Sequence, residues 1–337
     1  MSNERHDAIA LPETPAIPGL EFRRARIPDD LPGLVAVHEG SAQADGVDPL
    51  SSMESIPTLD ELGTRFAPSS AFDPTTDALI VELDGRVIGY SRVTWWTERD
   101  GVWLYLTTGR LLPEWRVRGI GTAMLCWAES RAAALAATHP TNGKAILGAN
   151  ASSTEVDATA LLRNAGYHET FSMVEMRFDA VDTLPPVELP AGLVFRPVTP
   201  DQYRAIWDSV QAAYANSPQN VVATEEDYQE WLASSAFDPT LWRIAWDGER
   251  IAGQTLCEIA NGRGEVAEVS VGAPWRRHGL GYALVIAGLR ALAERGVTEA
   301  RLHARADNIY GAPRLYERAG FRPLKRFARY RKPLQLS

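Results

Sequence analysis

Two short segments put arginine and glycine where a phosphate could be held. One reads Arg116-Val117-Arg118-Gly119-Ile120-Gly121 and the other Arg276-Arg277-His278-Gly279-Leu280-Gly281. Each follows an apolar, strand-like run and opens a helix-like one. Glycines let backbone N–H groups approach an anion, and the start of the next helix adds partial positive charge pointing the same way. The arginines and His278 add full or potential charge. One R-x-x-G-x-G could be a plain glycine-rich turn. Its recurrence in matching surroundings favours a phosphate or pyrophosphate site. A P-loop requires Gly-Lys-Ser/Thr, whereas Thr122-Ala123 and Tyr282-Ala283 follow the last glycines here. A dinucleotide fingerprint follows the first strand of its unit, and these segments come later, after a hairpin.

The elements around the two segments also recur. SSAFDPT stands at residues 69–75 and again at 234–240. LEFRRARIPDDLPGL (20–34) parallels LVFRPVTPDQYRAIW (193–207), VELDGRVIGYS parallels IAWDGERIAGQT, and RNAGY parallels ERAGF. Ordered matches at half the chain length mean two whole domains and not a solenoid. Each half predicts a short strand (Glu21–Ala25; Val194–Pro197), a helical stretch, and a hairpin turning at Asp84-Gly85 or Asp247-Gly248. A third strand follows (Val102–Leu106; Val266–Val271), then a long helix (120–137; 280–295), a further strand (Ala145–Gly148; Ala300–Ala304), a short helix closing at Gly166 or Gly320, and a final strand. The fold class is α/β with a mixed sheet in each half. The expected division is a flexible N-terminus (1–19), a first domain (20–180), a Pro-rich linker (181–191) and a second domain (192–337).

These segments resemble a known family. The R-x-x-G-x-G preceded by an apolar strand is similar to motif A of the GCN5-related N-acetyltransferases (GNAT). Asn308 and Leu315-Tyr316-Glu317-Arg318-Ala319-Gly320-Phe321 resemble the family's N…LYE-x-x-GF segment. The resemblance covers residues 20–180 and 192–335, and the tandem arrangement is similar to that of the mycothiol synthases, a likeness that does not fix the substrate. It implies acetyl-CoA, or another acyl-CoA, as donor, with no metal. Arg276, Arg277, His278, Gly279, Leu280, Gly281, Tyr282 and Ala283 would form the pyrophosphate cradle, with Asn308 nearby. The strand at Val269–Val271 would splay from its neighbour, pair with the pantetheine arm and supply a backbone N–H to the oxyanion.

Acyl transfer to an amine needs a base for the ammonium, a donor for the oxyanion and an acid for the leaving thiolate. The resemblance puts Tyr316 in the acid role. Base candidates are Glu265, Glu268 and His303. The two carboxylates differ by three residues, so a regular strand points them to opposite faces; a bulge would change that. His303 suits neutral pH. A water-relayed path is the remaining alternative. The first half has Leu162 where the second has Tyr316, and Tyr105 and Thr108 where it has Glu265 and Glu268. It is expected to be catalytically silent. Whether Arg116, Arg118, Gly119, Gly121 and Thr122 still cradle CoA or form a retained turn stays open.

The 337 residues are 45% hydrophobic and 23% charged, which fits two globular domains. No run of about 18 apolar residues suggests a membrane span, and the start lacks a signal-peptide pattern, so a cytoplasmic protein is expected. The net charge of −9 argues against nucleic acid and anionic membrane as partners. Cys126 and Cys257 lack metal-ligand spacing and read as inert buried thiols. Trp95-Trp96 and Trp103 read as packing, and Lys325–Lys332 as a solvated edge strand. The expected function is acetyl transfer from acetyl-CoA to a primary amine, small-molecule or peptide, by direct attack in the C-terminal half. A CoA-binding regulatory or scaffold protein without turnover is the alternative. The acceptor site would come from segments such as 40–68 and 211–233, and the oligomeric state is open.

Overall fold

The computed structural model describes residues 7–12, 14–142, 144–179, 183–213, 222–260, 262–308 and 310–335. The chain divides into two compact units, Met1–Phe171 with Phe327–Ser337, and Ser172–Arg326. In chain order the elements are β1 (Leu20–Arg24), α1 (Leu31–Ala42), α2 (Leu59–Arg65), α3 (Pro74–Asp77), β2 (Ala78–Leu83), β3 (Arg86–Thr97), β4 (Trp103–Leu111), α4 (Ile120–Ala136), β5 (Ala145–Ser152), α5 (Val156–Asn164) and β6 (His168–Phe178). They continue with β7 (Val194–Arg196), α6 (Tyr203–Ala213), α7 (Glu225–Ala233), β8 (Arg243–Asp247), β9 (Arg250–Ala260), β10 (Arg263–Val271), α8 (Leu280–Ala293), β11 (Ala300–Arg305), α9 (Ala312–Ala319) and β12 (Arg322–Pro333).

In the first unit, β1 to β4 pair antiparallel in sequence order, and β4 pairs parallel with β5. The second unit repeats this with β7 to β10 antiparallel and β11 parallel to β10. Hairpin signals set this order. Leu83 and Arg86 flank an Asp84-Gly85 turn in which both residues have positive φ, 48° and 82°, the type I′ signature. The second hairpin corrects the sequence expectation by one residue. Asp247 stays in the strand opposite Arg250, and the turn is Gly248-Glu249. Glycine in the first central position accepts the positive φ that such a turn demands.

The last strand of each unit comes from the other half of the sequence. Phe327 to Pro333 of β12 pair antiparallel with β5 in the first unit, and Met173 to Phe178 of β6 pair with β11 in the second. The basic tail is therefore not a solvated edge. Ala328 and Tyr330 are core residues, Arg331 Nη1 donates to Glu98 Oε2 at 2.8 Å, and Lys332 Nζ reaches Glu129 at 2.9 Å. Residues 180–182, at the expected boundary, lie outside the described residues. Further along the linker, the carbonyls of Leu184 and Pro185 accept from Arg290 on α8.

Residues 1–6 also lie outside the described residues, but the stretch after them, expected to be loose, is tied down. Ala8 bridges to Arg23, Ile9 N–H donates to Phe22 O at 2.7 Å, and Ile9, Leu11 and Ile17 pack on the first core. Cys257 is buried as expected, and burial pushes its thiol up to about 12. Cys126 is exposed on α4, which corrects the reading of both as buried. Trp95 and Trp103 stack on each other at 5.3 Å at the margin of a core.

Candidate active site

β10 carries the carboxylates, and its register decides where they point. Against β9 it pairs Glu265 with Glu258 and Val266 with Cys257, then resumes with Glu268 opposite Leu256. Ala267 is the extra residue of a β-bulge. Cross-strand partners share a face, and so do residues two apart. Glu258 and Leu256 are two apart on β9, so Glu265 and Glu268 stand on the same face of the sheet. Gln254 belongs to that row and donates through Nε2 to Ile206 O of α6 at 3.1 Å. The opposite face is covered by α8, where an added Cβ at Gly288 would lie 2.8 Å from Cys257 Sγ.

Among the described residues, β10 and β11 pair only at Gly264–Ala300 and Glu265–Arg301. Beyond that point both strands continue apart, as the splay expected from the resemblance requires. β4 and β5 in the first unit stay paired over five positions, Trp103–Ala145 to Thr107–Ala149, and β4 carries no bulge against β3.

The geometry brings most of the expected reaction residues together. His303 lies two residues past Arg301, on the Glu265 face, with Nδ1 3.5 Å from Glu265 Oε1. Arg263 Nη2 holds the other Glu265 oxygen at 3.3 Å. Tyr316 on α9 is buried, and its hydroxyl is pushed above the usual phenol range by burial and then by the Glu268 carboxylate. Tyr316 and Glu268 therefore stand close enough for the charge on one to act on the proton of the other.

Glu258 was not among the sequence candidates. Burial, and then the facing Glu265 carboxylate, raise its proton affinity, with Arg263 and His303 acting against the rise. Its place could have been read from the sequence, where Asn261-Gly262 is a two-residue hairpin signal; the observed register has Ala260 opposite Arg263 and Glu258 opposite Glu265. Glu258 and Glu268 line a cavity of about 350 Å³ together with Trp207 and Val210 of α6, Trp231 of α7, Phe237, Trp242 and Leu256.

The glycine segment forms a cradle at the start of α8. Arg277 has φ 67° and Gly279, the helix N-cap, φ 88°. The first intrahelical bond runs from Ala283 N–H to Gly279 O, which leaves the amides of Leu280, Gly281 and Tyr282 without helical acceptors. No heavy atom among the described residues comes within 4 Å of where a Gly279 Cβ would sit. The free amides and the open space over Gly279 fit a pyrophosphate. The side chains divide the work. Arg277 and His278 are exposed, whereas Leu280 and Ala283 are buried; Leu280 has its backbone amide to offer, but that of Ala283 is taken by Gly279 O, which removes Ala283 from the expected cradle. Arg276 braces the loop: Nε donates to Val271 O at 2.9 Å, and its guanidinium lies 4.3 Å from the Tyr310 ring centroid. Asn308 Oδ1 accepts from the N–H groups of Tyr310 and Ala312 and so starts α9. Val269 and Val271 lie on the splayed part of β10 and pack on the cores.

The acetyltransferase (GNAT) family model matches residues 48–146 and 204–321, more than half of the chain. The chain belongs to the GNAT acetyltransferase family. It is 31% identical over 305 residues to a mycothiol acetyltransferase of Kineococcus radiotolerans, covering 88% of this chain and 92% of that one. It is 29% identical over 328 residues to the mycothiol acetyltransferase of Clavibacter michiganensis subsp. michiganensis, covering 94% and 98%. A GCN5-related N-acetyltransferase from Sphaerobacter thermophilus superposes with TM-score 0.74 at 26% identity, over 95% of this chain and 97% of that one. A tandem GNAT protein from the clavulanic acid biosynthesis pathway shares the fold, with TM-score 0.64 at 20% identity, over 94% and 99%.

The two GNAT repeats differ at the cradle. In the first, Gly119 repeats the N-cap geometry with φ 85°, and Arg116 Nε donates to Leu111 O at 3.0 Å just as Arg276 does to Val271 O. There Pro15 stands over the glycine, with Cγ 3.2 Å from where a Gly119 Cβ would lie. Asp45, almost fully buried, pairs with Arg116 at 2.6 Å and Arg110 at 2.8 Å. Arg118 lies over the Trp115 ring. Gly121 packs close to Leu161, and Thr122 is exposed. Leu162 is buried, and the Tyr105 hydroxyl is engaged with His139 Nδ1 at 2.8 Å.

Proposed function

We propose that the second unit transfers an acetyl group from acetyl-CoA to a primary amine by direct attack. The observation that carries this reading is the bulge at Ala267, which puts Glu265 and Glu268 on one face, with Glu268 lining a cavity. The amides of residues 280–282, with Arg277 and His278 beside them, are suited to the donor's pyrophosphate. The splayed strand at Val269–Val271 leaves backbone free for the pantetheine arm and for an N–H aimed at the developing oxyanion.

Glu268 faces the cavity and can hold the incoming ammonium. Glu258, whose burial strengthens it as a base, takes the ammonium proton. Glu265 links Glu258 to His303, whose partly exposed ring returns the proton to solvent. The Tyr316 phenol stays protonated at neutral pH and can donate to the departing thiolate. The first unit offers no acid and no strand carboxylate at the matching positions, and Pro15 lies against its cradle glycine, so it does not react.

A cavity of this size favours a small-molecule amine over a peptide, and the relatives' name, mycothiol acetyltransferase, points the same way. Release of free thiol from acetyl-CoA by the full chain, across a panel of primary amines, tests the reading. Amine-dependent release that falls sharply in Tyr316→Phe supports it. Acetyl-CoA binding with no release for any amine would favour the non-catalytic alternative.

A further inference from the structure

The cavity beside the carboxylates has a wall of aromatic rings that the transfer reaction itself does not require. Trp231 of α7 stacks on Trp242 with ring centroids 5.2 Å apart and planes 17° apart. Trp207 of α6 meets Trp231 at 5.3 Å, and Phe237 sets its edge against Trp242 at 5.0 Å. Trp242 is buried, whereas Trp207 and Trp231 are half-buried and share the cavity lining with Glu258 and Glu268. The lining thus combines two carboxylates with a group of aromatic rings. α6 buries only Ile206 fully and α7 buries no residue fully. The exposed remainder of the tryptophan surface is therefore area that a ligand could cover.

We propose that the acceptor is an amine carried on an aromatic body, an arylalkylamine, with its ammonium between Glu258 and Glu268 and its ring against Trp207 and Trp231. The proposal rests on the acetyl-transfer reading and adds the substrate class to it. A flat apolar body gains area burial and ring–ring contact along the tryptophan wall, and the ammonium gains charge pairing and cation–π attraction from the same groups. A polyhydroxylated amine such as an amino sugar also stacks on indole, but each hydroxyl taken out of water needs a hydrogen-bond partner. Among the described residues of the lining, the two carboxylates, the indole N–H groups and the Ser234 hydroxyl are the strong side-chain partners available. The aromatic area of the lining therefore favours the aromatic amine.

The test compares 2-phenylethylamine and tryptamine with glucosamine, using the full chain. Two readouts are taken: thiol release from acetyl-CoA, and equilibrium binding of each amine by isothermal calorimetry in the presence of CoA. The expected result is a kcat/KM at least about tenfold higher for the arylalkylamines, roughly what one well-formed aromatic contact plus buried area supplies. Trp207→Leu, at a half-buried position, and Trp231→Ala should each raise KM for tryptamine about tenfold while leaving KM for acetyl-CoA unchanged. The unchanged donor KM shows that the variants are folded. Equal or better efficiency with glucosamine, or no change in tryptamine KM in either variant, would overturn the aromatic assignment and leave acetyl transfer standing. Arylalkylamine binding without thiol release would uphold the pocket and sink the transfer reading. Neither binding nor release for any of the three overturns the aromatic assignment, and thiol release across the wider panel of primary amines then decides the transfer reading.

Discussion

Glu258 stands directly across from Glu265 in the antiparallel pairing of β9 and β10, two carboxylates on one face of a strand pair. Like charges facing each other in a partly buried place raise the cost of ionising both. Glu265→Gln removes one charge, so the acid limb of the pH–rate profile should move to lower pH as Glu258 ionises more easily. The same variant breaks the link to His303 and should lower kcat by more than about tenfold. A profile whose acid limb does not move would separate Glu258 from the reaction.

The raised Glu258 group also bears on stability. Its proton is held more tightly in the folded chain than in the unfolded one, so it costs stability as pH rises from the ordinary carboxylate value of 4.5 through its raised folded value. Glu258→Gln is expected to raise the melting temperature at neutral pH. The gain should vanish below the ordinary carboxylate value, where the native side chain is already protonated. Melting curves of both proteins across that range check the sign.

Tyr316→Phe removes a hydroxyl from a buried site and little volume. Turnover should fall by about a hundredfold, the low end of what a general acid contributes. The KM for acetyl-CoA should stay nearly constant, because the cradle lies on α8. Steady-state thiol release gives both numbers, and turnover close to native would remove Tyr316 from the acid role.

The two cradles should behave differently. Pro15 lies against Gly119, whereas no described residue comes within 4 Å of a Gly279 Cβ, so calorimetry should count one CoA site per chain. Gly279→Ala forces a side chain into left-handed backbone, at a cost of about 1–2 kcal/mol, and should weaken acetyl-CoA binding. Gly119→Ala carries the same backbone strain but should leave acetyl-CoA affinity unchanged. Two sites per chain would show that the first unit still binds its ligand.

Residues 327–333 of β12 belong to the first unit through their pairing with β5. A chain ending at Arg326 should therefore lose amide-exchange protection over Ala145–Ser152. Arg331→Met is the milder version. It leaves Glu98, 4% exposed, as a buried charge without its guanidinium, which should cost about 3–5 kcal/mol in denaturant unfolding. Unaltered protection of β5 in the shortened chain would sink this assignment.

Much of this protein is legible in its residues. The duplicated SSAFDPT, the twin glycine segments and the two hairpin turns are local signals, each written in a few consecutive side chains, and together they define a tandem GNAT fold. The inequality of the halves is local too, since Leu162 in place of Tyr316 needs no coordinates to be noticed. What was not legible depends on chain segments meeting across long sequence distances. The period-two rule puts Glu265 and Glu268 on opposite faces. Only the pairing of β10 with β9 showed that Ala267 is left over and that both carboxylates turn the same way, because a bulge is set by the partner strand and not by the bulged one. The exchange of β6 and β12, and Pro15 over Gly119, are likewise products of packing. Which strand completes which unit is decided by the side chains it meets there, and those stand more than a hundred residues away in the chain.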